Sequence, residues 1–320
     1  DYFLEQDNNE LLILTATSGD TGSAVANAFF GMERIKVVVL FPKEEITERQ
    51  RKLMTTLGGN ITAISIDGKF DDCQALVKEA FVDPDLKYLN LSSANSINIA
   101  RLLPQIVYYA YAYSRLGKVN FSIPSGNFGD LMGGLFAKEM GIPVNKFIVA
   151  VNENDEFVDF YNTGEYKNIS PSKNSLSNAM NVGHPSNLAR LIALYGGIID
   201  EKGIIAKMPD MQKIRHDMVA VSVTDEQTKE EIRSIYKKFH VIIEPHGAVG
   251  LYAAEKNKDL RLVCLETADP AKFPDTVKEV IKIDPALPEC LRQALKKEEY
   301  LKNLDNNYQD FKQFLIGNFK

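Results

Sequence analysis

Short apolar runs alternate with longer amphipathic stretches along most of this 320-residue chain. Apolar, β-prone runs predict buried strands over residues 11–14, 36–41, 61–66, 88–91, 119–123, 146–152, 219–223 and 261–265. Helical patterns predict helices over residues 23–30, 48–57, 71–82 and 131–140, after Thr224 and after Ala248. They also predict a long apolar helix through Tyr113 and charged helices in the tail from Pro285. Strands that alternate with helices in this way predict the α/β class, with parallel sheets covered by helices on both faces.

The length of the chain suggests two domains. We place the boundary near Gly117, which gives a smaller α/β domain over residues 1–117 and a larger one over residues 118–320. A long irregular region, residues 164–187, is rich in Ser, Asn, Lys and Pro. A loop of that length within a compact domain is usually functional or mobile.

Polar segments follow, or nearly follow, four of the predicted strands. They cover residues 17–22, 95–101, 125–129 and 267–273. In open α/β sheets, ligands bind at the carboxyl ends of the strands. One such turn is usually only a turn, but four that are rich in Ser, Thr, Asn and Gly predict a shared binding site.

Residues 123–130, with the sequence I-P-S-G-N-F-G-D, join a predicted strand to a predicted helix. Backbone N–H groups at a helix N-terminus lack partners within the helix, so they can hold a phosphate. Ser125 and Asn127 add donors, and two glycines allow the backbone to approach a ligand. A phosphate cradle competes here with a plain strand–turn–helix. The glycine spacing is neither that of a dinucleotide fingerprint nor that of a nucleotide P-loop.

Residues 17–22 offer hydroxyl and N–H groups at a predicted helix start, which suits a carboxylate. A compatible alternative is that Asp20 or Thr21 caps the helix. Arg101 could bind a phosphate or a carboxylate, or it could be a surface Arg on a first helical turn. His246 could be a base, but a hydrogen-bonded His at a cap is favoured.

Composition narrows the function further. The chain is 45% hydrophobic and 25% charged, with a net charge of -6 and a pI of about 5.4, which does not support a nucleic-acid footprint. The helix predicted through Tyr113 carries Tyr108, Tyr109, Tyr111 and Tyr113, which could suggest a stacking face. Packing of the helix is favoured, because no basic residues are interleaved for base stacking. No apolar run is long enough to cross a bilayer. Three widely spaced cysteines predict reduced side chains in the cytoplasm, and four scattered histidines predict no metal site.

The polar segments are rich in hydrogen-bond donors and poor in titrating groups. They contain no convincing Ser-His-Asp set and no Cys nucleophile. That pattern fits a protein that positions a phosphorylated cofactor and lets the cofactor do the chemistry.

Seven motifs, in order along essentially the whole chain, resemble the threonine synthase family in its longer bacterial and yeast type. They are T-A-T-S-G-D-T-G-S-A at 15–24, L-G-G-N-I at 57–61, N-S-I-N-I-A-R at 95–101, I-P-S-G-N-F-G-D at 123–130, S-N-A-M-N-V-G at 177–183, E-P-H-G-A-V at 244–249 and T-A-D-P-A-K-F at 267–273. The resemblance implies pyridoxal 5'-phosphate as cofactor and the fold shared by tryptophan synthase β and cysteine synthase, with two doubly wound, mainly parallel sheets. It implies conversion of O-phospho-L-homoserine and water into L-threonine and phosphate, by a cytoplasmic monomer or homodimer.

The resemblance also implies roles for the polar segments. Residues expected around the cofactor phosphate are Ser125, Gly126, Asn127, Phe128 and Gly129. Thr267 is expected to be the neutral hydroxyl partner of the pyridine nitrogen. The loop expected to meet the substrate carboxylate contains Thr17, Ser18, Gly19, Thr21 and Gly22, with Asp20 placed towards the 3'-oxygen of the cofactor. Residues expected near the substrate phosphate are Asn95, Ser96 and Arg101.

One feature of the family is absent from the sequence. The family holds its cofactor as a Schiff base on a Lys, in a segment like H-G-P-T-x-A-F-K-D. No Lys precedes Lys36, which opens a predicted strand, and no such segment occurs in the chain. We therefore expect a fragment of a threonine synthase without its N-terminal region, with no catalytic lysine, inactive as it stands and binding the cofactor only loosely. The alternatives are a related phospholyase, a threonine dehydratase and a non-catalytic binding protein of the same fold.

Overall fold

A computed structural model describes residues 2–6, 9–257 and 261–319. The strands, in chain order, are β1 (Leu11–Ala16), β2 (Ile35–Pro42), β3 (Ile61–Asp67), β4 (Leu91–Ser93), β5 (Asn120–Pro124), β6 (Phe147–Val151), β7 (Ile198–Ile199), β8 (Ile205–Lys207), β9 (Met218–Ser222), β10 (Leu262–Cys264) and β11 (Leu301–Asp305). The α-helices are α1 (Tyr2–Gln6), α2 (Asp20–Phe29), α3 (Glu48–Thr55), α4 (Phe70–Val82), α5 (Ile106–Leu116), α6 (Gly129–Glu139), α7 (Glu156–Thr163), α8 (Leu188–Leu194), α9 (Met211–Asp217), α10 (Asp225–Phe239), α11 (Pro245–Glu255), α12 (Pro274–Ile281), α13 (Glu289–Ala294) and α14 (Tyr308–Asn318).

The chain forms two compact units, one of residues 1–95 and 286–320 and the other of residues 96–285. The first unit contains a five-stranded, wholly parallel sheet in the order β11–β3–β2–β1–β4. Along β2, Val37 and Val39 pack in one apolar cluster with Val25 of α2 and Met54 of α3. Val38 is equally buried and points to the opposite face, since side chains alternate along a strand. Helix α4 contacts β1 and β2, so helices cover both faces.

The second unit contains a parallel sheet in the order β10–β5–β6–β9 and a small antiparallel β7–β8 pair. Phe147 and Val149 of β6 belong to a large apolar cluster that includes Leu131 of α6. Ile148, between them, belongs to a second cluster, with Val249 of α11. The alternation along β6 therefore explains why α6 and α11 cover opposite faces of the sheet, and the predicted pair of doubly wound parallel sheets is confirmed.

Two predicted elements are wrong in part, since a strand does form at Leu91 and the tail does contain the helices α13 and α14. Residues 84–89 form a 3₁₀ helix, so β4 begins only at Leu91, after Asn90 has turned the chain with a φ of 47°. In the tail, Leu301–Asp305 is not helical but adds β11 to the edge of the first sheet, in parallel register with β3. A short half-polar run of this kind is stabilised by the strand that it pairs with, and local sequence does not reveal that partner.

The two compact units also divide the chain differently from the predicted boundary near Gly117. Residues 96–117 belong to the second unit, and residues 286–320 return to the first. The tyrosines before Gly117 behave differently from one another. Tyr109 is buried against Phe121, with ring centroids 4.7 Å apart, whereas Tyr108, Tyr111 and Tyr113 are exposed. Only one of the four therefore packs as predicted.

The irregular region 164–187 is confirmed, because its described structure contains only a short 3₁₀ turn, Asn178–Met180. It is nevertheless tied to the end of β6. The Asn152 side-chain amide donates to Ser177 Oγ at 3.1 Å and to Asn181 Oδ1 at 3.0 Å. Since Asn152, Ser177 and Asn181 are all buried, these bonds hold the segment over the carboxyl end of the second sheet.

None of the helices among the described residues is long and apolar enough to cross a membrane.

Candidate functional site

The predicted polar segments follow strands that are direct neighbours within a sheet. One of them, residues 95–101, begins with Asn95 in the first compact unit and continues from Ser96 in the second. In the first unit, residues 17–22 follow β1 and Asn95 comes shortly after β4, its parallel neighbour. In the second unit, residues 125–129 follow β5, and residues 267–273 come after β10, also its parallel neighbour. Because the strands run in parallel, each pair of segments lies at the carboxyl edge of its own sheet, where α/β folds bind ligands.

The turn after β1 is shaped by the buried Thr17. Its hydroxyl oxygen accepts the backbone N–H groups of Gly19 at 2.9 Å and of Gly22 at 2.8 Å. Gly19 has a φ of +134°, and a Cβ there would lie 2.5 Å from the Gln50 amide nitrogen; at Gly22 a Cβ would lie 2.4 Å from a Thr17 carbon. The turn therefore requires glycine at both positions.

Helix α2 begins at Asp20 and has Gly19 at its cap, so neither Asp20 nor Thr21 is the N-cap residue that the sequence suggested. Gly19 offers no side chain to cap the helix, and the Thr17 hydroxyl accepts the N–H of Gly22 in the first turn. A helix start without a cap from its own N-cap residue suits an anion such as a carboxylate. The assignment of Ser18, Asp20 and Thr21 to ligand binding stays a prediction.

The Asn95 side chain is bonded to the end of β1. Its oxygen accepts the Ala16 N–H at 2.9 Å, and its nitrogen donates to the Ala16 carbonyl at 2.5 Å. These two bonds imitate a neighbouring strand and continue the sheet for one more residue. Asn95 thus orders the edge of the sheet, while its predicted contact with a substrate phosphate remains untested.

The segment after β5 turns sharply into α6. Ser125 is buried, its N–H donates to the Ala150 carbonyl at 2.8 Å, and its hydroxyl donates to the Ile123 carbonyl at 2.9 Å. Phe128 precedes the helix with a φ of 60°, a left-handed conformation that costs a bulky residue about 1–3 kcal/mol. Its ring is buried 5.0 Å, centroid to centroid, from that of Phe157, which offsets the cost.

Gly126 sits where no side chain can fit. A Cβ there would lie 2.9 Å from Met180 Cα and 3.0 Å from the Ala179 carbonyl oxygen. The segment that resembles the family over residues 177–183 is therefore packed directly on residues 125–129. The start of α6 also has no side-chain cap, which is the arrangement expected of a phosphate cradle.

Asn127 is fixed from one side. Its side-chain oxygen accepts both the N–H of Ser186, at 3.1 Å, and the Ser186 hydroxyl, at 2.9 Å. Its backbone carbonyl accepts the Asn187 amide at 2.8 Å. With the oxygen engaged, the amide nitrogen of Asn127 is the group that could donate to an anion.

His246 is the hydrogen-bonded, buried residue that the sequence favoured. Its Nε2 accepts the Ala179 N–H at 3.1 Å, which places the proton of a neutral ring on Nδ1, where it donates to Glu244. Glu244 caps α11 through the backbone N–H groups of His246, at 2.8 Å, and Gly247, at 2.7 Å. Both ring nitrogens of His246 are thus committed, and its place is to hold Ala179 beside Gly126.

Asp130, in the first turn of α6, interacts electrostatically with Arg101. Burial raises the pKa of the Asp130 carboxyl to about 6, although the positive charge of Arg101 opposes that shift. Arg101 is exposed at the end of a 3₁₀ turn, Ile99–Arg101. Arg101 is therefore a surface residue on a first helical turn, and its charge interacts with the Asp130 carboxylate.

Thr267 is exposed and lies after β10, the parallel neighbour of β5. The segment that contains Thr267 and the turn at residues 125–129 therefore follow adjacent strands. A residue that the sequence did not single out, Arg190, joins Asn187 to the carbonyl of Ser96, at 2.6 and 3.1 Å. Nothing in the sequence marks Arg190 out, because two of its partners, Ser96 and Ile97, are far from it along the chain.

Comparison with known proteins places the chain in a family. Residues 2–263 match the model of the pyridoxal-phosphate dependent enzymes, and residues 247–315 match that of the threonine synthase C-terminal region. The chain is 41% identical to the threonine synthase of Buchnera aphidicola from Acyrthosiphon pisum over 98% of its own length and 71% of the relative's. It is 43% identical to the threonine synthase of Escherichia coli K12 over 88% of its length and 64% of the relative's.

Solved structures agree. The threonine synthase of Escherichia coli matches with a TM-score of 0.88 and 39% identity, over 98% of this chain and 71% of that one. The pyridoxal-phosphate-bound threonine synthase of Brucella melitensis matches with a TM-score of 0.86 and 34% identity, over 98% and 72%. Maize serine racemase, at 14% identity and a TM-score of 0.57, shares the fold alone.

Proposed function

The chain belongs to the threonine synthase family of pyridoxal-phosphate dependent enzymes, and we propose that its substrate is O-phospho-L-homoserine, converted with water into L-threonine and phosphate. The observation that carries the proposal is the turn at residues 125–129. It combines a glycine without room for a Cβ, a buried Ser and an uncapped helix start.

The residues fit a phosphorylated cofactor. In this proposal the phosphate of pyridoxal 5'-phosphate, a dianion suited to a helix N-terminus, is bound by the backbone N–H groups at the start of α6 and by the side-chain amide of Asn127. Ser125, whose N–H and hydroxyl donate to carbonyls of the protein, shapes the turn that holds these groups. The cofactor, when bound, would supply an electron sink for the electron pairs left on the substrate carbons when protons are removed. The neutral hydroxyl of Thr267 would be the partner of the ring nitrogen, and the chain's part is to hold and orient both small molecules.

The substrate contacts follow from the same family. Residues 18–22 bind the substrate carboxylate, with Asp20 towards the cofactor's 3'-oxygen. Asn95, Ser96 and Arg101 bind the substrate phosphate, for which the exposed guanidinium of Arg101 provides charge. His246 is not the proton-transfer group, because both of its ring nitrogens are bonded within the protein.

The test measures binding and products together. Isothermal titration with pyridoxal 5'-phosphate and with O-phospho-L-homoserine should show that both bind. The sequence predicts that the chain as it stands is inactive. Any product that O-phospho-L-homoserine does give should be threonine with an equal amount of phosphate. If L-threonine were instead converted to 2-oxobutanoate, the protein would be a dehydratase, and failure of the chain to bind either molecule would overturn the proposal.

A second measurement addresses the cofactor bond. The sequence leads us to expect that no lysine of this chain holds the cofactor covalently, so bound cofactor should be removed by dialysis. A visible absorbance band that survives dialysis and is lost on borohydride reduction would contradict that expectation. The location of the protein, its oligomeric state and the absence of nucleic-acid partners stay predictions.

A further inference from the structure

Arg190, on α8, bonds to three acceptors from two separate segments. Its Nη1 donates to the Ser96 carbonyl at 3.1 Å and to Asn187 Oδ1 at 2.6 Å. Its Nη2 donates to the Ile97 carbonyl at 2.5 Å. The guanidinium thus donates to two consecutive peptide carbonyls, which lie about 90 residues away along the chain. It also donates to the side-chain oxygen of Asn187, the N-cap residue of α8.

The same network reaches the turn at residues 125–129. The nitrogen of the Asn187 side chain donates to the Asn127 carbonyl at 2.8 Å, while its oxygen accepts from Arg190. Asn187 is fully buried, so its amide is held in one orientation by these two partners. Arg190 therefore connects, through one side chain, the segment that begins at Ser96 with the start of α6.

We propose that Arg190 is a positioning residue that sets the distance between the substrate-phosphate segment at residues 96–101 and the cofactor-phosphate turn at residues 125–129. The inference rests on the proposed function, which assigns one phosphate to each of these segments. Both belong to the second compact unit. The residue acts through Asn187 and through backbone carbonyls, and it touches neither small molecule.

The chemistry of the guanidinium suits this task. A planar fork donates along fixed directions, so it can hold two carbonyls and an amide oxygen at once, whereas an ammonium on a flexible stem cannot match all three. These hydrogen bonds all go to neutral oxygens, and no ion pair of Arg190 occurs among the described residues. Its positive charge is therefore not cancelled by a carboxylate, and it adds to the attraction for doubly charged phosphates.

The experiment uses the full chain and compares Arg190→Lys, Arg190→Ala and a control, Arg233→Ala, which removes an exposed Arg on α10. Hydrogen exchange is followed on peptides covering residues 96–101 and 125–129. Dissociation constants are measured for O-phospho-L-homoserine and for pyridoxal 5'-phosphate. Each binding series is repeated with millimolar guanidinium ion, which can occupy the space left in Arg190→Ala.

Arg190→Lys should speed exchange in residues 96–101 and weaken O-phospho-L-homoserine binding by about tenfold, because two of three charged hydrogen bonds are lost. Cofactor binding should change by no more than about twofold to threefold, since Asn187 still holds Asn127. Arg190→Ala should weaken both, and guanidinium ion should restore part of the substrate affinity. Arg233→Ala should match the wild type throughout.

Several outcomes would overturn the inference. Unchanged exchange in residues 96–101 in both Arg190 variants would mean that the guanidinium does not hold that segment. Equal loss of both affinities in Arg190→Lys, without rescue of Arg190→Ala, would show a general loss of folding instead of positioning. A wild-type chain that binds neither molecule would defeat the proposed function, while the exchange comparison would still decide whether Arg190 orders residues 96–101.

Discussion

At the residue scale, a few glycines are fixed because side chains (at Gly19 and Gly22) or backbone (at Gly126) approach them closely. Gly19, Gly22 and Gly126 each stand where a Cβ would meet another atom at 2.9 Å or less. Phe128 accepts a left-handed backbone so that its ring can be buried. These constraints occur at the predicted ligand-binding turns, where strained conformations are commonly retained because function needs them.

Gly126→Ala should weaken pyridoxal 5'-phosphate binding by at least about tenfold, or about 1.4 kcal/mol. The added methyl would be pressed against Met180 Cα and the Ala179 carbonyl, which belong to backbone and cannot rotate away. Fluorescence titration with the cofactor measures the effect. Gly317→Ala is the matched control, because that helical glycine has open space around its Cβ position. Equal affinities for both variants would show that residues 125–129 do not form the phosphate site.

Asp130→Asn should make the protein's stability less sensitive to pH. In the folded state burial raises the pKa of Asp130 to about 6, from 3.8. A carboxyl with a raised pKa costs nothing while it is protonated in both states, below about pH 4, and its penalty is complete above about pH 6. Between those pH values the free energy of unfolding of the wild type should therefore fall by at most about 3 kcal/mol relative to that of the variant.

Urea unfolding at pH 4 and pH 7 measures this difference, in the wild type and in the variant. Asp275→Asn is the control, because it changes another Asp in the first turn of a helix, one that is exposed. Both variants keep Arg101, and both keep Tyr109, whose hydroxyl donates to the Asp130 backbone carbonyl at 2.5 Å. A stability gap between wild type and Asp130→Asn that did not widen towards pH 7 would contradict the prediction.

At the element scale, the last strand and the segment before it complete the first sheet. Strand β11 lies in parallel beside β3, at the edge of the sheet. Just before it, Glu299 accepts from Arg51 at 2.9 and 3.2 Å and from the Thr55 hydroxyl at 2.7 Å. The tail is therefore attached to α3 by a fork-like ion pair as well as by the ladder.

Glu299→Ala should destabilise the protein by about 1–2 kcal/mol at pH 7, since bidentate hydrogen bonds between charged groups are among the stronger ones. Burial would raise the pKa of Glu299, but the hydrogen bonds from Arg51 and Thr55 outweigh it and lower the pKa below 4.5. A lowered pKa gives stability that is present above pH 4.5 and is lost as the pH falls.

The difference between Glu299→Ala and the wild type should therefore shrink in acid, which thermal or urea unfolding at pH 7 and pH 3.5 can show. Glu289→Ala is the control. It removes an exposed ion pair with Arg292 at 2.9 Å, and exposed pairs contribute only about 0–1 kcal/mol. Equal losses for the two variants would mean that the tail is not held by Glu299.

At the scale of the whole molecule, the chain passes from the first compact unit to the second after Asn95 and returns after Pro285. Each unit has its own parallel sheet and its own apolar clusters. Each also has a predicted ligand-binding turn at the carboxyl edge of its sheet, residues 17–22 in the first unit and residues 125–129 in the second. A ligand that binds only folded protein adds its binding free energy to stability.

Pyridoxal 5'-phosphate at 100 times its dissociation constant should stabilise the folded protein by about 2.7 kcal/mol and raise the melting temperature by several degrees. Pyridoxal without its phosphate, at the same concentration, should produce little shift, because the turn at residues 125–129 would have no anion to bind. Differential scanning fluorimetry compares the two. Equal shifts would show that the phosphate is not what the protein recognises.

The sequence by itself determined the α/β class, the parallel sheets, most strands and helices, the family and its cofactor. Apolar periodicity and Gly-rich turns are local signals, and buried parallel strands are written as nearly continuous apolar runs, as in β2. It also predicted His246 correctly, because a His two residues after a capping Glu at a helix start has that carboxylate within reach.

The tertiary structure alone decided features whose partners are distant in the chain. It placed β11 beside β3, gave residues 286–320 to the first unit, buried Tyr109 while leaving its neighbours exposed, and brought Arg190 to Ser96. Such pairings depend on which surfaces meet after the chain has folded, and a residue's neighbours in sequence carry no record of them. The close approach of Met180 to Gly126 likewise could not be predicted from the sequence.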